Sequence, residues 1–495
     1  MKNILAIVLF VSMLSSCNKW LDVQPEKQIA SDKLFETQSG FYDALNGCYI
    51  KLKSRDLYGE KLTMTNIESL AHLWQLTQTG HPADYELNEF NYDGDYAKNS
   101  LSAIYSGLFN VIAQANMIIK NIETKGEVIP DQGIRAMIEG EAYAIRALCH
   151  MDLLRLFGQV PTNATIQVSL PYAELVSATD LPSYYAYNEY IQKLNSDLIK
   201  AEELLKDNDP IFKYTFQYLN NFSSTEISDQ FLGYRQNRLN YWSVKALQAR
   251  LSLYTGDNQK AYSIASEILN AKNVEGNPLI TLSGSADIAS GYYASPGESL
   301  FMLNSFSLMT YVTNIFGAGA TQVRTTNYVI TQEQLNEMFE NEGMASNIKY
   351  NSIWSKSITD PFGQVFPVLM KYFHDTQAST TGSVNMTKRQ VIPIIRLSEI
   401  YLIAIETTSS LGEANKLWKE YKLSHNVLVT TDPFMSLNDV KQRVIDEYRR
   451  EFYGEGLMFY TYKRNNIANM KWRDKSVNEL DYIIPLPQSE FNPNN

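Results

Sequence analysis

The chain has 495 residues, of which 44% are hydrophobic and 20% are charged, a composition typical of a folded protein. This length fits two or three ordinary domains or one large helical array. The net charge of −11 argues against binding to nucleic acid and against electrostatic adhesion to an anionic lipid surface.

The first seventeen residues, MKNILAIVLFVSMLSSC, are typical of a bacterial lipoprotein signal peptide. The apolar run from Ile4 to Leu14 is too short for a permanent transmembrane helix, and small residues precede Cys17. We therefore expect residues 1–16 to be removed and Cys17 to become a lipidated N-terminus that ties the protein to a membrane. The alternative is an ordinary secretory signal peptide whose nearby cysteine carries no lipid.

The first half of the remaining chain, residues 17–495, is strongly helical. Apolar periodicity predicts helices over 33–53, with Ser39 as a candidate N-cap, over 101–122 and over 132–157. The last of these is apolar on nearly all sides and ends at Gly158, so we expect it to be central.

Helical hairpins are predicted further along the chain. An amphipathic helix over 188–205 is followed by two helices within 239–272, separated by a turn at Gly256. Small residues at Ala249 and Ala261 occupy tetratricopeptide-repeat positions, and such hairpins stack into a solenoid. A further pair is predicted over 394–421, and a last helix over 437–453. The predicted fold is mostly α, a tetratricopeptide-like helical-hairpin scaffold with long irregular insertions containing short strands.

The two insertions are residues 60–100 and 275–390, which are rich in Gly, Ser, Thr, Asn and Tyr. Short apolar runs within them, such as Leu300 to Leu303, indicate isolated strands. Long irregular segments carried by a rigid scaffold are where binding sites usually lie. We therefore expect the functional site in these insertions.

The chain contains 32 Tyr and 6 Trp, and those outside regular helices are candidate binding surfaces. A sugar ring stacks its C–H face on an aromatic face while its hydroxyls bind polar side chains. This pattern suits sugars or other neutral polar molecules. The candidate platforms are the large aromatic residues of the insertions that lie beside turn residues: Trp74, Tyr92, Tyr96, Tyr292, Tyr293 and Tyr311.

The segment NYDGDY, residues 91–96, has several interpretations. Asp93 and Asp95 could hold calcium, although two carboxylates without the rest of a calcium loop are a weak signal. They could serve a glycosidase, which needs a second acid at a defined separation. We favour a binding loop in which Asp93 accepts hydrogen bonds from ligand hydroxyls, and a plain surface turn stays open.

Motifs for catalysis and cofactors are absent from the sequence. There is no phosphate-binding loop, no GxSxG, no HExxH and no dinucleotide glycine fingerprint. Cys48 and Cys149 lie on predicted helices without metal-binding spacing, so we interpret them as buried thiols and leave a disulfide between them open. We expect no cofactor, no resident metal and no catalytic residues.

Several motifs, in order along the chain, make it resemble the SusD/RagB family. LDVQP (21–25) and ALNGCY (44–49) come first, followed by the A-N-x-x-I element at Ala115 to Ile119. The most specific motif is EGEAYAIRALCHMDLLRLFGQVP (139–161), and IIRLSEIYLIAIE (394–406), YRREFYGEGLMFYTYKR (448–464) and IIPLPQSEFNPNN (483–495) follow. The chain departs from the family pattern at Leu457, where the family often has Arg, and lacks its closing Q-N-P-G-Y tail.

This resemblance implies a cell-surface lipoprotein of the outer membrane that binds a nutrient, most often a glycan. It also implies delivery to a SusC-like TonB-dependent transporter, with the helical scaffold facing that partner and the insertions carrying the ligand site. It argues against a glycosidase. A surface glycoside hydrolase and a repeat scaffold that binds only protein partners are the alternatives.

Overall fold

The computed structural model describes residues 33–174, 181–222, 225–373, 389–425 and 433–491. Cys17 and the expected signal peptide lie outside these residues. The helices of the first half are α1 (Gln38–Leu52), α2 (Asn66–Leu70), α3 (Pro82–Asn88), α4 (Asp95–Lys125), α5 (Gln132–Phe157), α6 (Tyr187–Leu205) and α7 (Phe216–Leu219). Those of the second half are α8 (Tyr241–Thr255), α9 (Asn258–Asn270), α10 (Ser285–Ala289), α11 (Leu308–Phe316), α12 (Gln332–Phe339), α13 (Ile348–Ser352), α14 (Leu397–Thr407), α15 (Leu411–Ser424), α16 (Leu437–Glu451) and α17 (Met458–Arg464).

The strands are short and form three antiparallel pairs among the described residues. They are β1 (Leu170–Tyr172) with β2 (Ser183–Tyr185), β3 (Ser299–Asn304) with β6 (Val391–Arg396), and β4 (Trp354–Ser355) with β5 (Val368–Leu369). The strand expected at 300–303 is therefore present as β3. The helix expected from residue 394 begins only at Leu397, because residues 391–396 pair with β3.

The longer helices pack in one continuous array, as the sequence predicts. Helix α4 lies between α1 and α5, α5 packs against α6, and α6 contacts α8. The hairpin of α8 and α9 then packs against α14, which in turn contacts α15 and α16. Gly256 makes the hairpin turn with a φ of +83°, a conformation that glycine adopts without steric cost. The scaffold is thus a stack of antiparallel helical hairpins.

Local capping explains where individual helices begin. Helix α1 starts after Thr37, whose side chain accepts a hydrogen bond from the Gly40 amide at 3.1 Å, so the expected cap at Ser39 is wrong. Helix α5 starts after Asp131, which accepts bonds from two amides of the first turn and so satisfies N–H groups that have no partner within the helix.

Helix α5 is central, and its charged side chains bind those of other elements. Glu141 bonds both Arg235 and Arg238, while Arg146 bonds Asp197 with two hydrogen bonds. Asp152 and Arg155 form an ion pair within the helix. These side chains are all buried and paired, which agrees with a structural role.

We expect Leu148→Asp to destabilise the fold by several kcal/mol, because Leu148 is fully buried in α5 and the new carboxylate would have no partner. The measurement is chemical denaturation of purified protein. The control is Leu480→Asp, since Leu480 is 63% exposed and should change the midpoint little. A Leu148→Asp protein with the wild-type midpoint would show that this helix is peripheral.

The insertions contain more helix than expected. The first includes α2 and α3, and the second includes α10 to α13. Helix α12, for example, is started by a capping box in which Thr331 and Gln334 exchange hydrogen bonds. Such short helices lack the long apolar periodicity by which a helix is recognised in sequence.

One stretch of the described residues, Asp95–Val128, is long and apolar enough to span a membrane by length and composition alone. It consists of α4 and the turn that follows it. Of its most apolar 18 residues, 56% are buried inside the fold, where α4 packs against α1 and α5. We therefore interpret α4 as a core helix.

Candidate functional site

The two insertions contact each other directly. The backbone N–H of Gln75 donates to the backbone carbonyl of Val329 at 2.9 Å, and the Tyr328 hydroxyl donates to the Asp84 carboxylate at 2.6 Å. The ring of His81 packs edge-on against Tyr328 with ring centroids 4.5 Å apart, and burial lowers the pKa of His81. Residues 72–90 and 311–330 thus form one packed unit.

Trp74 lies in the core of this unit and not on its surface. Its side chain is only 3% exposed, and its indole N–H donates to the carbonyl of Met64 at 2.9 Å. The rings of Phe316 and Tyr453 surround it at centroid distances of 5.6 and 5.0 Å. The expectation of Trp74 as an exposed platform is wrong, because these neighbouring rings bury its indole. Its contacts instead join the first insertion to the rest of the fold.

Tyr311 is also buried, so it offers no open ring face. It lies on α11, where Leu308, Val312 and Ile315 are buried together with it. The guanidinium of Arg55 lies 5.3 Å above its ring. Burial raises the pKa of Tyr311 to about 12.

The NYDGDY segment, residues 91–96, leads into α4, whose first residue is Asp95. Tyr92 is half-buried and donates its hydroxyl to the carbonyl of Asp481 at 2.5 Å, and burial raises its pKa. Asp93 is almost fully exposed and lies 3.5 Å from Lys98. Tyr96 is 57% exposed. Of the three side chains expected here, Asp93 and Tyr96 are accessible.

Tyr292 and Tyr293 make contacts that differ from those of Trp74 and Tyr92. Both are half-buried. The Arg389 guanidinium is 5.9 Å from the ring of Tyr292, and Tyr293 packs against the main core. The aromatic candidates therefore do not form one continuous surface.

A surface cleft of about 280 Å³ does lie where the second insertion meets the first, and we call it the insertion cleft. Its edge is joined to the first insertion because Gly80 packs against the backbone of Thr325. The cleft is lined by one aromatic ring and by small or polar residues: Thr313, Asn314, Gly317, Ala318, Gly319, Ala320, Gln322, Arg324, Asn327 and Phe373.

Two glycines make the shape of the insertion cleft. Gly319 has a φ of +78°, and a Cβ there would lie 2.6 Å from the ring of Phe373. At Gly317, with a φ of +71°, a Cβ would lie 2.9 Å from the side-chain oxygen of Asn327. A larger residue at either position would displace these groups, so the GAGA run at 317–320 lets them approach the backbone.

The polar groups of the cleft are partly fixed and partly open. The Asn327 side chain accepts from the Arg324 amide at 2.7 Å and donates to the Asn314 carbonyl at 2.6 Å, which holds both walls together. The side chains of Asn314, Gln322 and Arg324 are exposed. Among the described residues that line the cleft there is no carboxylate, so they do not supply the acid pair of a glycosidase.

An exposed aromatic ring stands beside the insertion cleft. Gln322 forms a bridge with Thr359, and the turn that follows Thr359 is held by Asp360, which accepts hydrogen bonds from the amides of Phe362 and Gln364. Phe362 is 94% exposed at the tip of this turn. Sequence analysis missed Phe362 and Phe373, although the turn motif Asp-Pro-Phe-Gly at 360–363 was a signal for an exposed ring.

Among the described residues, one group has the composition of a metal site. His425, Glu447 and Glu451 bring their ligand atoms within 4.8 Å of one another, and all three are buried. The ammonium of Lys349 contacts Glu451 and lies 3.2 Å from Nε2 of His425. A lysine side chain therefore occupies the space where a cation would bind.

The array of helical hairpins that carries the two insertions defines a tetratricopeptide-like scaffold. Two family models match the chain: a SusD-like model described as "Starch-binding associating with outer membrane" matches residues 19–220, and the SusD family model matches residues 252–491. The chain belongs to the SusD/RagB family.

Relatives and solved structures agree with this assignment. SusD-like protein P25 of Formosa agariphila is 29% identical over 164 residues, which cover 32% of this chain and 31% of the relative. SusD-like protein P38 of the same organism is 23% identical over 93% of this chain and 90% of its own length. The chain thus spans about a third of the first relative and nine-tenths of the second.

The fold is shared with solved SusD proteins. A SusD superfamily protein of Bacteroides thetaiotaomicron superposes with a TM-score of 0.71 at 22% identity, covering 92% of this chain and 98% of the other. A SusD-like carbohydrate binding protein of Bacteroides vulgatus gives 0.63 at 17% identity, covering 87% and 83%. The chain therefore shares its overall fold with these two proteins.

Proposed function

We propose that this protein is a lipid-anchored outer-membrane protein that captures a glycan at the cell surface and delivers it to a SusC-like TonB-dependent transporter. Its family supports this function, since a matching family model is described as starch-binding and associating with the outer membrane. One observation from the structure carries the proposal: the insertion cleft combines the ring of Phe373 with exposed amide groups.

Binding without cleavage is part of this proposal. A glycosidase needs two carboxyl groups across the scissile bond, and the described residues that line the insertion cleft contribute none. Rings and amides are instead suited to hold a neutral polar ligand by stacking and hydrogen bonding. We expect affinities from micromolar to millimolar, about −8 to −4 kcal/mol, which suits a protein that must release its ligand to a transporter.

The experiment uses lipid-free protein, residues 18–495, in affinity gels that contain soluble starch, xylan or laminarin. We expect at least one polysaccharide to retard the wild-type protein. Phe362→Ala and Phe373→Ala should each weaken binding about fivefold, since a stacked ring contributes about 1 kcal/mol. Phe491→Ala, at a ring that is 65% exposed, is the matched control.

Three outcomes would contradict the proposal. Release of reducing sugar by the pure protein would favour the surface hydrolase. Retention of a transporter on the immobilised protein, with no polysaccharide bound, would favour a scaffold that binds only proteins. Unchanged binding in both Phe variants would move the site away from the insertion cleft. Tyr96 and Tyr292, which keep partly exposed rings, are the next residues to replace with alanine.

A further inference from the structure

A second cleft, of about 610 Å³, lies between α1, residues 229–238 and the end of β3, and we call it the tyrosine cleft. Its walls include the rings of Tyr42, Tyr49, Phe231 and Tyr234. We propose that the tyrosine cleft is a second binding site for a neutral oligosaccharide, separate from the insertion cleft. This inference rests on the proposed function, because it assigns a second site to the same class of ligand.

One wall of the tyrosine cleft is a rigid stack of three planar groups. The rings of Tyr42 and Phe231 are stacked with centroids 3.9 Å apart and planes 6° apart. The Arg238 guanidinium carbon lies 3.6 Å from the Phe231 centroid, so it must cover the opposite face of that ring. The Tyr42 hydroxyl donates to Asp229 at 2.6 Å, which fixes the outer ring of the stack.

Tyr234 supplies an exposed ring to the lining of the tyrosine cleft. Its backbone has φ +53° and ψ +41°, a left-handed conformation that is costly for a residue with a side chain. The Tyr234 amide donates to the Leu219 carbonyl at 2.8 Å, and the next residue, Arg235, is fully buried between Asp209 and Glu141. The fold thus holds a strained residue with its ring 42% exposed, as expected of a prearranged binding surface.

The electrostatics of the tyrosine cleft favour an uncharged ligand. Asp229 is bonded to Tyr42, Arg238 to Glu141, and Lys53 to the carbonyl of Asn304 at 3.2 Å, so the charged groups already have partners.

The remaining polar groups of the lining are amides. Asn46 and Gln230 are exposed, and the buried Asn237 side-chain oxygen accepts no hydrogen bond from the described residues. A ligand with hydroxyl donors and apolar ring faces, such as a neutral sugar chain, matches amides beside aromatic rings.

The experiment counts binding sites by calorimetry with maltotriose, cellotriose, xylotriose and laminaritriose, using residues 18–495. We expect one of these trisaccharides to bind the wild-type protein at two sites. Tyr234→Ala and Phe373→Ala should each weaken a different one of the two sites about fivefold, and the double variant should weaken both. Asn46→Ala, an exposed change that leaves the stack intact, should weaken one of the two sites at least threefold. Phe491→Ala should keep both sites.

The failure of this inference differs from the failure of the proposed function. A single site that Phe373→Ala weakens and Tyr234→Ala leaves unchanged would overturn the second site alone. A single site that only Tyr234→Ala weakens would support the tyrosine cleft and overturn the insertion cleft. If the protein binds none of the four trisaccharides, the inference is overturned. The affinity gels with polysaccharides test the proposed function separately. If Tyr234→Ala lowers the melting temperature of the protein, its loss of binding does not distinguish unfolding from the loss of a site. The effect of Asn46→Ala on trisaccharide binding then decides whether the tyrosine cleft is a binding site.

Discussion

Replacing Cys17 with alanine is expected to abolish acylation completely, because the lipid is attached through the cysteine sulfur and alanine has no group that can carry it. Metabolic labelling with an alkyne fatty acid should mark the wild-type protein and leave Cys17→Ala unlabelled. Fractionation should then find the variant either unprocessed or outside the membrane pellet. The effect on labelling should be complete, and the net charge of −11 gives the chain no net electrostatic attraction to an anionic membrane.

The matched control for this prediction is Cys48→Ala. Cys48 is a free, buried cysteine on α1, and burial raises its pKa to about 12, so its thiol is protected from modification. This variant should keep the full label. Label persisting in Cys17→Ala, or lost in Cys48→Ala, would contradict the assignment of Cys17 as the lipidated residue.

Arg235→Met should produce a large loss of stability. Arg235 is fully buried and bonds Glu141 at 2.5 Å and Asp209 at 2.9 Å, so its removal leaves two buried carboxylates short of a partner. Breaking such a buried pair costs about 3–5 kcal/mol. For a chain of this length that corresponds to a melting temperature lower by roughly 3–5 °C.

Thermal melting followed by circular dichroism checks this prediction. Arg55→Met is the control, because the Arg55 side chain is 61% exposed and its ion pair with Glu60 should contribute little. The double variant Arg235→Met with Asp209→Asn should recover part of the loss, since it removes one unpaired charge. A melting temperature equal to that of wild type in Arg235→Met would show that this ionic cluster does not stabilise the fold.

The sequence predicted the scaffold well because its signals are local. The apolar stripes that mark α5 and α6 recur within three or four residues, and the turn at Gly256 needs only a glycine between two such stripes. Helix α5 was predicted with the bounds that the structure gives it, 132–157. Its burial also followed from sequence, since a helix that is apolar on nearly all sides must lie in a core.

The candidate site was less predictable because exposure of an aromatic ring in an insertion depends on distant residues. Trp74 and Phe362 both lie near turns, yet Trp74 is 3% exposed and Phe362 is 94% exposed. The difference comes from Phe316 and Tyr453, which follow Trp74 by more than two hundred residues and pack around its indole. No spacing within the insertion encodes that contact.

The sequence by itself determined the helical class, the hairpin scaffold and the similarity to the SusD/RagB family, because periodicity, turn residues and motifs are properties of short segments. Only the tertiary structure decided which rings face solvent, that Arg235 pairs with Glu141, and that Gly317 and Gly319 shape a cleft with Asn327 and Phe373. The physical reason is that burial, ion pairing and cavity shape arise from contacts between segments far apart in the chain.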